Sequence, residues 1–140
     1  MTMTVPAQQH ATDEIQIIRK PPSMAEAQLI VQMATNDAIT GANRGYDVLQ
    51  RFDVPPTLGQ LRKKHPAGSE TYGQVMAFLG SCEMTATFVK QGLLSEELVN
   101  DLYWVAGAWR VAGKLCKALR KEAGEPRLYE NFELLASRAT

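Results

Sequence analysis

Glu83 is the acidic residue whose position most suggests a specific role. It lies next to an apolar stripe with helical spacing, between Leu79 and Ala86, where a carboxylate would be partly desolvated and would need a cation. Arginines on two other predicted helical segments could supply that cation, namely Arg44, Arg110 and Arg120. The pattern indicates a structural ion pair. A sharper hypothesis is that Glu83 and an arginine line a pocket between helices and bind a small polar ligand.

The histidines and cysteines form no recognisable catalytic or metal-binding pattern. Neither His10 nor His65 has a carboxylate or thiol at ligand spacing. Cys82 and Cys116 lie in helical patterns without a CxxC pair, which is typical of core thiols in a reducing compartment. Acid–base catalysis would need a histidine or paired carboxylates in a shielded cleft. We therefore expect no catalytic residue, no metal and no cofactor, although the sequence alone leaves the question of an enzyme open.

A short basic run, residues 62–65 (Arg-Lys-Lys-His), could contact nucleic acid if the helices on either side formed a helix-turn-helix. Pro66 and Gly68 would make that turn stiff and long, and the next helix opens with Glu70 and has few basic residues. A recognition helix needs donors to phosphates and base edges. The simpler interpretation is a solvated basic corner.

Aromatic and basic residues near residue 110 are candidates for a partner surface. We assign Trp109 to the core, which leaves Trp104 and Tyr103 facing either another helix or a protein partner, because large exposed aromatics are enriched at interfaces. Three lysines on the same helix could face an acidic partner: Lys114, Lys117 and Lys121. Basic residues near a helix end are also explained by the helix dipole.

Residues 1–22 are predicted to form an extended N-terminal arm, because they lack sustained periodicity and end in two prolines. Their one apolar cluster consists of Ile15, Ile17 and Ile18. It could dock on the domain or on a neighbouring subunit. The polar start has no signal-peptide pattern, and no run approaches the roughly 18 to 20 apolar residues that span a bilayer. We therefore expect a cytoplasmic protein.

Residues 23–140 are predicted to form one helical domain of four to five helices. The predicted helices run from Ser23 to a double-proline stop at residues 55–56, over 57–64, over 69–91, from Ser95 to Gly124, and from Pro126 to about Arg138. Within the first, Gly41 and Gly45 are four residues apart, a spacing that lets another helix approach closely.

Two of these helices carry apolar residues at alternating steps of three and four, which is typical of helices packed along a seam. Only Gly-Leu-Leu separates them, so the pattern predicts that they are antiparallel neighbours. No alternation of period two indicates strands. The predicted fold class is all-α, an antiparallel helical bundle with an N-terminal arm.

Composition fits this interpretation and excludes some functions. The 140 residues are 45% hydrophobic, and 15 basic residues balance 15 acidic ones. No overall positive field would therefore hold the chain on nucleic acid or on an anionic membrane.

Segments of the second half resemble a bacterial family of domains of unknown function, number 4760. They are Val75-Met-Ala-Phe-Leu-Gly-Ser-Cys-Glu83, Lys90-Gln-Gly-Leu-Leu-Ser-Glu-Glu-Leu98, Trp109, Arg120 and Tyr129-Glu-Asn-Phe-Glu-Leu-Leu135. The resemblance implies a bacterial, helical domain and brings no established activity. Many members of that family have an N-terminal membrane-spanning helix, and this chain departs from them.

The sequence thus favours a non-enzymatic helical module that works by protein–protein contact, as a homodimer or as a small accessory subunit of an assembly. Two alternatives stay open. One is a ligand-binding or enzymatic bundle that uses Glu83 and an arginine, and the other is a nucleic-acid-binding regulator that uses residues 62–65.

Overall fold

The computed structural model describes residues 22–139, and all regular structure in that range is helical. The seven helices of the described range are α1 (Met24–Thr40), α2 (Ala42–Gln50), α3 (Leu58–Lys64), α4 (Glu70–Lys90), α5 (Glu96–Leu102), α6 (Val105–Ala123) and α7 (Glu130–Arg138). The predicted all-α class is therefore confirmed. The arm, with Ile15, Ile17 and Ile18, lies outside the described residues.

Side-chain caps mark the helix starts that the sequence predicted. The side chains of Ser23 and Thr57 each accept a hydrogen bond from the backbone N–H of the third residue of their helix, which is Glu26 in α1 and Gln60 in α3. The side chains of Glu26 and Gln60 accept a bond from the backbone N–H of the cap residue in turn, and this completes a capping box. Ser69 and Ser95 accept similar bonds at the starts of α4 and α5. These local caps satisfy N–H groups that have no partner within the helix.

The predicted first helix is broken at Gly41. This residue has a φ of 79°, a left-handed conformation that ends α1 and starts α2 in a new direction. The close approach predicted from Gly41 and Gly45 is nevertheless confirmed. A Cβ on Gly45 would lie 2.1 Å from the backbone oxygen of Gln74, so α2 and α4 meet backbone to backbone.

The predicted fourth and fifth helices also differ from the structure. Tyr103 is extended and Trp104 is also non-helical, so the two residues divide the fourth helix into α5 and α6, although neither is glycine or proline. Residues 126–129 form turns, and α7 begins only at Glu130.

One side chain from every helix enters a common core. These residues are Met33, Leu49, Leu61, Leu79, Val99, Leu115 and Phe132. The predicted apolar seams of α4 and α6 both contribute to this core, but the direct pairing expected for these two helices is not among the main helix–helix contacts of the described residues. Helix α4 packs most closely on α2 and then on α7, which also packs against α6. Phe132 on α7 meets Trp109 on α6 edge-on, with ring centroids 5.0 Å apart.

Candidate functional site

Glu83 binds the start of helix α7. Its Oε1 accepts a 2.8 Å hydrogen bond from the backbone N–H of Phe132, and its Oε2 accepts a 2.9 Å bond from the side-chain amide of Asn131. The same amide donates to the hydroxyl of Thr87 at 3.1 Å, and that hydroxyl donates to the backbone oxygen of Glu83 at 2.8 Å. Glu83 is therefore tied into a small network between α4 and α7.

The capping role of Glu83 follows from the local backbone of α7. Tyr129 precedes the helix with a φ of 60° and supplies no side-chain cap. The free N–H groups at the start of a helix carry a partial positive charge, which favours a nearby carboxylate. The helix start thus takes the place of the arginine that the sequence analysis expected.

None of the described ion pairs joins the three candidate arginines to Glu83, and two of the three have other partners. Arg120 pairs with Glu133 at 2.9 Å and donates to the carbonyl of Leu128 at 2.9 Å. Arg110 lies over the ring of Trp104, 5.0 Å from its centroid. Arg44 is exposed on α2. The structure does not bring Glu83 and these arginines together as a ligand site.

An apolar cavity lies elsewhere, around Asp37, a residue that the sequence analysis did not assign to a site. It has a volume of about 270 Å³ and is bounded by α1, α2, α4, α7 and the α5–α6 junction. Its lining is mostly apolar and aromatic, with Tyr46, Phe78, Trp104 and Phe132 among the walls. The rings of Tyr46 and Phe78 stack with centroids 4.9 Å apart.

Asp37 is the acidic residue of this cavity. Its Oδ1 atom is buried and has no hydrogen-bond partner among the described residues. Burial raises the pKa of the Tyr103 hydroxyl, and the negative charge of Asp37 raises it further. A signal for Asp37 was present in the sequence, because it follows Ile30 and Met33 at steps of three and four on the inward face of α1.

The two cysteines are free thiols with different surroundings. Cys82 lines the cavity, whereas Cys116 is fully buried in the core. Burial raises the pKa of both, that of Cys116 to about 12. Both are therefore protonated and poorly nucleophilic at neutral pH.

The aromatic partner-surface candidates lie at the α5–α6 junction. Trp104 is 63% exposed and Tyr103 38% exposed, whereas Trp109 packs against the core as expected. The indole of Trp104 lies so close to Gly107 that a Cβ there would come within 2.3 Å of the ring. Trp104 thus forms part of the rim of the Asp37 cavity.

The candidate lysines on α6 are exposed, and two of them make contacts within the domain. Lys114 Nζ donates to the carbonyl of Pro55 at 3.4 Å, and Lys117 lies over the ring of Trp109 at 5.9 Å. Lys121 is exposed near the end of the helix. The partner role of all three stays a prediction.

The basic corner at residues 62–65 is partly used inside the domain. Arg62 forms two hydrogen bonds with Glu122, at 2.7 and 2.8 Å, and also donates to the hydroxyl of Tyr72. Lys64 lies over the ring of Phe52 at 5.1 Å. Arg62 and Lys64 are thus engaged within the domain, whereas a nucleic-acid interface would use their charges to contact phosphates.

Within residues 22–139, no three potential ligands come together as a metal site. In the same range, no helix has the length and apolar character needed to cross a bilayer.

The described residues thus form an all-helical domain with a mainly apolar cavity and with a last helix, α7, capped by Glu83. The chain belongs to the family described as Domain of unknown function (DUF4760), whose model matches residues 9–139. The match extends well beyond residues 75–135, which carried the resemblance in the sequence. Neither the curated proteins nor the solved structures include a match to this chain.

Proposed function

We propose that this domain is a non-enzymatic interaction module that forms a homodimer through the outer face of helix α1. The observation that carries the proposal is the placement of charge on this helix. Its two charged residues, Glu26 and Asp37, are both partly buried, and none of its fully exposed residues is charged. A surface helix of a monomer normally has the opposite pattern, with its charged residues in water.

The outer face of α1 is free of charge along its whole length. Its exposed residues are Met24, Ala25, Ala27, Gln28, Val31, Gln32, Ala34, Thr35, Asn36, Ala38, Ile39 and Thr40. Among them Met24, Val31 and Ile39 are large apolar side chains that are 73%, 64% and 79% exposed. Such a surface is typical of an interface, because exposed apolar patches on soluble monomers are usually small.

Five of these residues form a regular seam, which we call the α1 stripe. The stripe consists of Met24, Ala27, Val31, Ala34 and Ala38, spaced by three, four, three and four residues. This spacing places the side chains in one line along the helix, as in helices that pair along a seam. The buried residue of α1, Met33, does not belong to this stripe.

A second copy of α1 is the occupant that fits the stripe best. A twofold dimer places the same surface on both partners, so the surface must complement itself. Alanine side chains let two helix backbones approach closely, and an uncharged stripe buries no unpaired charge when it meets its own copy. An acidic or basic partner would find no opposite charge there.

The α4–α5 turn lies next to the beginning of α1. The backbone N–H of Ser95 donates to Glu26 at 2.7 Å, which holds the α4–α5 turn beside the start of α1. Leu93 in that turn is 55% exposed. A 17-residue helix is roughly 25 Å long, so α1 and this turn together are suited to an interface at the small end of the usual size range. We expect reversible association that depends on concentration.

The test is the mass of the full chain in solution, measured by sedimentation over a wide range of concentration. Val31→Lys places a charge at the centre of the stripe, where the exposed position allows folding to be unaffected. Asn36→Lys adds the same charge to an exposed position on the other side of the same helix and serves as the matched control. We expect dimers from the natural chain and from the control, and monomers from Val31→Lys with unchanged helical circular dichroism.

Two results would overturn the proposal. One is a natural chain that remains a monomer at every concentration, which would mean that the stripe is covered in some other way, for instance by residues 1–21. The other is a dimer that persists in Val31→Lys, because the interface would then lie elsewhere on the molecule.

A further inference from the structure

We propose that the Asp37 cavity binds a small organic amine, with the ammonium group at Asp37 and an apolar body between the aromatic walls. This site is distinct from the α1 stripe, because Asp37 faces inward and the stripe faces outward. The inference therefore does not depend on dimer formation.

The unpaired oxygen of Asp37 determines the charge of the ligand. A buried polar atom without a hydrogen-bond partner is costly, and a charged one more so. None of the described lysines or arginines forms an ion pair with Asp37, and its Oδ1 accepts no hydrogen bond from the described residues. A cation with N–H donors would relieve this cost, whereas an anion would be repelled.

Neutral groups around Asp37 suit an ammonium in particular. Asn43, Ser81 and Tyr103 also line the cavity, and each has an oxygen that can accept a hydrogen bond. An ammonium has three donors, so one carboxylate and two neutral oxygens could satisfy it completely. Tyr46 and Trp104 also contribute aromatic surface to the walls. Aromatic faces attract cations, and one face of each ring is already covered, by Phe78 and by Arg110.

The rest of the lining requires an apolar body. Phe78, Val105, Phe132 and Leu135 also line the cavity. A bare ammonium ion would lose its hydration there without gaining contacts, whereas a hydrocarbon or aromatic group would be stabilised by burial. The ligand class is therefore an amine with an attached apolar group.

The volume limits the size of this group. A cavity of roughly 150 Å³ holds one benzene molecule, and pockets for drug-sized ligands begin at roughly 300 Å³. At about 270 Å³, the Asp37 cavity is suited to one aromatic ring with a short aminoalkyl chain. The exposed side chains of Leu102 and Trp104 lie at its rim and would come into contact with such a ligand.

Phenethylamine is the probe that combines these properties. Its binding to the full chain can be measured by calorimetry and by the fluorescence of Trp104. The same measurement with phenylethanol, phenylacetate and methylamine separates the contributions, since these lack the charge, reverse the charge or lack the apolar body. We expect phenethylamine to bind at least roughly tenfold more tightly than each of the three, as one hydrogen-bonded charge implies.

Asp37→Asn is the matching variant, because it keeps the shape and removes the charge. Asp47→Asn on the exposed side of α2 is the control. We expect loss of the preference for phenethylamine over phenylethanol in Asp37→Asn and retention in Asp47→Asn. The comparison of the four small molecules on the natural chain requires no variant, so it still tests the proposal if Asp37→Asn does not fold. No binding of phenethylamine, equal binding of phenylethanol, or an unchanged preference in folded Asp37→Asn would overturn the proposal.

Discussion

At the scale of residues, two glutamates each accept a hydrogen bond from the start of a helix other than their own. Glu83 on α4 binds the first turn of α7, and Glu26 on α1 accepts a bond from Ser95, the residue that caps α5. The sequence predicted the local half of this arrangement, since the capping box of Glu26 with Ser23 lies within four residues. The long-range half could not be predicted, because it depends on which helices become neighbours.

Replacement of Glu83 by alanine tests the importance of the α7 cap. The change leaves the Phe132 N–H without its acceptor and removes a partner of Asn131 in a partly buried place. We expect a loss of about 1–3 kcal/mol in the free energy of unfolding, measured by urea denaturation. Glu97→Ala, at an exposed position of α5, is the control and should cost less than about 0.5 kcal/mol. Equal losses in both variants would show that the network contributes nothing specific.

At the scale of elements, the sequence predicted where helices occur more successfully than where they break. The helix stops with local chemistry were confirmed, such as Gly124 in its left-handed conformation at the end of α6. The break between α5 and α6 has no such signal, because Tyr103 and Trp104 are both compatible with a helix. There the packing of the Trp104 indole on Gly107 accompanies the break, and such a contact is not visible in local sequence.

The same limit applies to the candidate sites, because local sequence does not show which helices become neighbours. Glu83 was singled out correctly as a partly buried carboxylate, but its partner was a helix start instead of an arginine. The Asp37 cavity was missed because it is assembled from five parts of the chain, including the junction between α5 and α6. A break that cannot be predicted locally thus also conceals the site that it helps to form.

The contact of α2 with α4 gives a test at the scale of elements. Gly45→Ala would place a Cβ 2.1 Å from the backbone oxygen of Gln74, so one helix would have to move. We expect a destabilisation of at least about 2 kcal/mol in thermal or urea unfolding.

Gly80→Ala is the matched control for this prediction, because Gly80 lies within α4 and has nothing near its potential Cβ. Alanine there should increase stability by about 0.5–1 kcal/mol, since it restricts the unfolded chain. A neutral Gly45→Ala would mean that α2 and α4 are not as close as described.

At the scale of the whole molecule, charged side chains keep at least partial contact with solvent, whereas neutral titratable groups lie deeper in the fold. No charged residue of the described range is fully buried. The ion pairs of Arg62 with Glu122 and of Arg138 with Glu96 are largely exposed, and such pairs contribute little to stability. Among the neutral groups, burial raises the pKa of both thiols and of the Tyr129 hydroxyl, to about 12 for Cys116 and Tyr129.

This distribution predicts that the free energy of unfolding decreases at alkaline pH. Below pH 9.0, the ordinary pKa of a thiol, Cys116 is protonated in both the folded and the unfolded chain. Between that pH and about 12, the unfolded chain loses the proton and the folded chain keeps it. The free energy of unfolding must then decrease with rising pH, by about 1.4 kcal/mol per pH unit for each such group.

Urea denaturation of the natural chain and of Cys116→Ala between pH 8 and roughly pH 11 measures this dependence. The variant should be less stable at neutral pH because of the space left in the core, but its stability should fall less steeply with pH. Val111→Ala removes a group on the same helix that does not titrate, so its slope should equal that of the natural chain. If Cys116→Ala kept the full slope, the thiol would already be ionised or exposed in the folded protein, and the core around Leu115 and Phe132 could not be as closed as its burial indicates.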